Sequence, residues 1–107
     1  MIFARVIGNV VSTNKDEKLV GKKLLLVQPT ELGSGGGARG NPLVAVDTVG
    51  AGEGELVLLV QGSSARQTAL TEGHPVDCAI AAIIDYVESG GTLVFEKSKD
   101  KDYPARR

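Results

Sequence analysis

Few residues of this chain are equipped for chemistry. Ser64, His74 and Asp77 supply the side-chain types of a nucleophilic triad. A nucleophile elbow, however, sets its serine between glycines at fixed offsets, and Gly62-Ser63-Ser64-Ala65-Arg66 lacks that spacing. Ser64 has a simpler use. With Gln67 three residues later it matches a capping box, worth about 1 kcal/mol to a helix start. His74 is the only histidine and Cys78 the only cysteine, too few ligands for a zinc site, so His74 reads as a loop residue. Asp47, Asp77 and Asp85 stand at expected strand ends, where carboxylates satisfy backbone donors or pair with cations more often than they move protons. Arg66 is open to two readings, an ion pair with one of these carboxylates across a subunit boundary or a solvated surface cation. No catalytic, cofactor-binding or metal-ligating set is assembled.

Two glycine-rich stretches could cradle a phosphate. Gly33 to Gly40 is followed by neither the Gly-Lys-Ser/Thr of a nucleotide loop nor a helix start, and reads as a mobile loop. Gly50-Ala51-Gly52-Glu53-Gly54 has its last glycine misplaced for a dinucleotide fingerprint and leads into a strand. The three glycines sit between two aliphatic runs, so they read as a hairpin-like corner needing positive φ or close backbone approach.

The elements that hold these residues follow from pattern. A chain of 107 residues is one domain by length. Aromatic residues make up only 4%, so the core must be built from Val, Leu, Ile and Ala, which favours compact β-structure. A formal net charge of −1 gives no general pull toward nucleic acid or an anionic membrane. The single cysteine fits a reducing cytosol, and no apolar run reaches membrane length, so a soluble, cytoplasmic protein is expected.

Strands are expected at Ile2 to Val11, with Gly8 allowing a bend, and at Lys22 to Gln28, stopped by Pro29. Val44 to Val49 and the continuously apolar Leu56 to Val60 follow, the latter suiting a strand buried on both faces or lying across a barrel interior. A short helix should run from Ala65 to about Thr71. Between Val76 and Val87 the isoleucines fit a helical face and a strand alternation equally well. Ser89-Gly90-Gly91 turns the chain into a last strand, Thr92 to Glu96. The apolar, terminal Leu93-Val94-Phe95 is expected at a subunit boundary. Residues 97–107 alternate in charge and read as a flexible tail.

Asp47-Thr48-Val49-Gly50-Ala51-Gly52, then Gly54-Glu55, then Gly62-Ser63-Ser64-Ala65-Arg66 form an ordered set that resembles the signature of the EutN/CcmL family, pentameric vertex proteins of bacterial microcompartment shells. The likeness covers most of the chain, roughly Ile2 to Glu96, including Ala4-Arg5-Val6-Ile7-Gly8 and Ile83-Ile84-Asp85, and leaves out the glycine-rich insert at Gly33 to Gly40 and the charged tail after Ser98. It implies a strand from about Ala79 to Val87 and a mainly β fold: a five-stranded OB-like β-barrel over residues 1–96, with one short helix and a C-terminal extension. It also implies a homopentamer that caps shell vertices beside hexameric shell proteins, with Gly50, Ala51, Gly52, Glu53 and Gly54 at the rim of a narrow fivefold opening. The competing readings are a nucleic-acid-binding OB module, which would need a basic groove with stacking aromatics, and a small-molecule-binding module resting on the glycine loops alone.

Overall fold

The computed structural model describes residues 1–11, 23–32, 37–61 and 78–99. Five strands, β1 (Ile2–Val10), β2 (Lys23–Pro29), β3 (Leu43–Asp47), β4 (Leu56–Gln61) and β5 (Cys78–Ile83), close into a barrel in the order β1-β2-β3-β5-β4. Every pairing is antiparallel except β3 with β5, which is parallel. The expected mainly β, five-stranded barrel is therefore the fold. The expected helix with its Ser64 and Gln67 cap lies outside the described residues, as do Arg66, His74 and Asp77.

Alternation builds the interior. On β2, Leu25, Val27 and Pro29 are buried while Leu24, Leu26 and Gln28 are only partly covered. On β1, Ala4 and Val6 point inward to the same side as their partners Pro29 and Val27. The register then slips between Val6 and Gly8, a bulge at the glycine where a bend was expected. Gly8 thereby pairs with the outward Leu26, and the inward face that alternation alone would extend to Gly8 and Val10 stops at Val6. β4 is buried on both faces apart from the half-buried Leu58 and the exposed terminal Gln61, as its continuous apolar run implies. Val6, Leu25, Val27, Val57, Leu59 and Ile80 fill the centre, each at 1% exposure or less. Burying each contributes roughly 1.5–3 kcal/mol. The Cys78 thiol is buried with them and donates to the Val44 carbonyl oxygen at 3.1 Å.

Two expectations are corrected. The corner at Gly50 to Gly54 is no hairpin, because β5 lies between the two strands it joins. It crosses one end of the barrel instead, and Ala51 is fully buried in the core there. The strand expected from Ala79 to Val87 is two strands, since the chain leaves the barrel after Ile84, whose N–H still donates to the Leu56 carbonyl oxygen at 2.9 Å. Beyond it, β6 (Tyr86–Ser89) and β7 (Thr92–Glu96) form a separate two-stranded ribbon. Its two-residue turn, Gly90 and Gly91, has φ of +60° and +81°, the twist that primed hairpin turns require. After the ribbon, Lys97–Lys99 form a 3-10 turn in which Lys97 is half-buried.

Candidate functional site: a glycine corner held from several sides

The passage Asp47 to Glu55 is irregular, yet most of its backbone N–H groups are paired. Asp47 ends β3 with its side chain 2% exposed. Its Oδ1 accepts from the backbone N–H groups of Val49 (3.1 Å), Gly50 (3.1 Å) and Ala51 (3.2 Å), the arrangement by which an Asx side chain starts a turn. Lys23, directly opposite on β2, places Nζ 3.7 Å from Asp47 Oδ2 and donates to the Ala51 carbonyl oxygen at 3.1 Å. Thr48 Oγ1 donates to the Ile80 carbonyl oxygen of β5.

The other half of the corner is pinned to β1 and to the C-terminal turn. Gly54 N–H donates to the Val6 carbonyl oxygen at 2.8 Å and Val6 N–H to the Glu55 carbonyl oxygen at 2.9 Å, which extends the ladder between β1 and β4 beyond the named strands. The Arg5 guanidinium donates to the Gly54 carbonyl oxygen at 2.8 Å. Glu55 turns back on its own loop, Oε1 accepting from Gly52 N–H at 2.7 Å, while Oε2 meets Lys97 Nζ at 2.6 Å. Such charge-assisted contacts are about twice as strong as neutral ones.

The glycines differ in kind. Gly50 and Gly54 have φ of +79° and +91°, left-handed values at which a Cβ is strained, so the fold of the single chain accounts for both. Gly52 has no such φ, and a Cβ built on it would find its nearest neighbour, Glu55 Oε1, at an ordinary 3.7 Å. Nothing described in its own chain requires a glycine there. Beside it, Glu53 is exposed with no partner among the described residues, and Val49 is 40% exposed.

Of the residues singled out from sequence, the corner residues Gly50 to Gly54 form this one structure. Leu93 and Val94 are exposed on the β6–β7 ribbon, at 48% and 37%, and Phe95 is half-buried. Arg5, Lys23, Glu55 and Lys97 were not singled out. One signal was present: a carboxylate three residues after Gly52, the reach of a side chain closing a tight turn. The Asp47 and Glu55 carboxylates are spent on backbone donors and ammonium groups, and among the described residues no group of three His, Cys, Asp or Glu could hold a metal ion.

The sequence matches the model of the family described as ethanolamine utilisation protein EutN/carboxysome over residues 1–85. The chain belongs to the EutN/CcmL family. It is 45% identical over 101 residues to the bacterial microcompartment shell vertex protein EutN of Salmonella typhimurium, covering 91% of this chain and 96% of that one. The solved structure of CcmL from Nostoc sp. PCC 7120 superposes with a TM-score of 0.82 at 45% identity, covering 91% of this chain and all of that one. The GrpN pentameric microcompartment shell protein of Rhodospirillum rubrum superposes with a TM-score of 0.70 at 46% identity, over 83% of this chain and 99% of its own. The matched family segment contains the whole barrel and the corner and ends at Asp85, where the chain leaves the barrel.

Proposed function

We propose that this chain is a structural shell protein without catalytic activity, which closes as a homopentamer and caps the vertices of a bacterial microcompartment beside hexameric shell proteins. The observation that carries the reading is Gly52. It is half-buried beside the exposed Glu53, its backbone is held by Glu55, and nothing described in its own chain requires a glycine. Room for a neighbouring copy is a reason for one. The near full-length likeness to shell vertex proteins, one of them a pentamer, supports the same reading.

In a ring of five, each copy presents one surface to the next and a different surface to the last, and closure leaves no free ends. Corners meeting at the axis would bring five Glu53 carboxylates together around a narrow opening. Crowded like charges repel, so that opening would admit cations before anions. Function is then geometric: six-membered tiles cover flat facets, and five-membered rings supply the curvature that closes them.

The test is assembly. Co-expressed with a hexameric shell protein, the chain should yield closed particles in electron micrographs where the hexamer alone gives sheets or tubes. Equal closure with and without the chain would contradict vertex capping.

A further inference from the structure

The C-terminal turn lies outside the matched family segment, yet it reaches the centre of the corner. Glu55 acts as a fork: Oε1 holds Gly52 N–H at 2.7 Å and Oε2 holds Lys97 Nζ at 2.6 Å. Both side chains are shielded, with Glu55 13% and Lys97 23% exposed. The backbone of the same lysine closes the base of the ribbon, its N–H donating to the Asp85 carbonyl oxygen at 2.8 Å. Asp85 Oδ1 lies a further 4.0 Å from the ammonium.

We propose that Lys97 is a positioning residue for the corner, tying the β6–β7 ribbon to Gly52 through the carboxylate of Glu55. The ribbon shares no sheet with the barrel. Its attachments include the chain itself at Ile84 and Asp85 and the contacts of the 3-10 turn that follows it. With the ammonium in place, ribbon and corner move as one body. A push on the exposed Leu93 and Val94 is then felt at Gly52. If corners of neighbouring copies meet at an axis, which rests on the function proposed above, a copy seated against the ribbon also sets the width of the opening.

Without the ammonium, a carboxylate that is 13% exposed loses the cation 2.6 Å from its Oε2. That shifts its balance toward water, because a shielded charge is costlier to keep when a close cation is removed. The shift weakens its hold on Gly52 N–H. Arginine at position 97 would keep a cation within reach, whereas methionine keeps the bulk and loses the charge. Glu55→Gln keeps an acceptor for Gly52 and breaks the ion pair.

Amide hydrogen exchange of the full-length chain reads this contact directly. In Lys97→Met, Gly52 N–H should exchange at least about tenfold faster while the Leu25 and Val27 amides in the barrel are unchanged, since local opening is independent of global unfolding. Lys97→Arg should restore protection to within about threefold of the parent, and Glu55→Gln should fall between the two. Unchanged exchange at Gly52 in Lys97→Met would overturn the proposal, and so would equal acceleration of the barrel amides, which would mean general destabilisation. The axial reading fails separately: a Gly52→Val chain that still forms rings removes the axis and leaves the tie between Lys97 and Gly52 standing.

Discussion

Glu55 and Lys97 stand 42 residues apart in the chain and 2.6 Å apart in space. Ion pairs on an open surface contribute about 0–1 kcal/mol. This pair is mostly shielded and shares its carboxylate with a backbone N–H, so its geometry constrains a loop that has no ladder of its own. The corner is rigid for reasons that lie in four other segments: β1 through Arg5, β2 through Lys23, β5 through Ile80, and the C-terminal turn.

The two kinds of glycine separate two experiments. Gly50→Ala places a Cβ at φ +79° and should cost each chain about 1–2 kcal/mol, seen as a lower Tm with ring formation retained. Gly52→Val meets only an ordinary contact in its own chain, so the far-ultraviolet spectrum should keep its β character while rings are lost. A Gly52→Val chain that forms rings normally would place this turn away from the axis.

Asp47→Ala removes one acceptor from three backbone N–H groups and leaves Lys23 without its cross-strand carboxylate. Hydrogen bonds to a charged group contribute roughly 1.5–3 kcal/mol each, partly replaced by water here, so a loss of about 3 kcal/mol in urea unfolding is expected. A loss under about 0.5 kcal/mol, the range of a plain surface substitution, would show that the corner is held without it.

How much of this was legible in the sequence depended on the range of the interaction. The apolar run Leu56 to Val60, the alternation of β2 and the Gly90-Gly91 turn are local signals, and each matches a strand or turn in the structure. The parallel pairing of Val46 with Ala79 is carried by no local pattern, so the corner between β3 and β4 read as a hairpin. Alternation of apolar residues also runs on past Ile83, although the barrel register ends there, and two strands read as one. Lys97 begins a run of alternating charge that is indistinguishable in sequence from a solvated tail. Only its position opposite Glu55 sets it apart.

The ribbon gives a further prediction, since the barrel closes without it. Leu93→Ser combined with Val94→Ser removes exposed apolar surface and touches no barrel core position, so it should weaken ring formation at least about tenfold and leave the Tm of the isolated chain within a few degrees. Deleting residues 92–107 should do the same more strongly, with added loss of order at the corner because Lys97 goes with it. Outright unfolding of the truncated chain, or full rings from it, would show that the ribbon is not a boundary between copies.

The central claim is that one small barrel closes in fives. Native mass spectrometry of the full-length chain at micromolar concentration measures this directly. The account predicts a dominant species of five chains; a spectrum dominated by monomer, dimer or hexamer would contradict it.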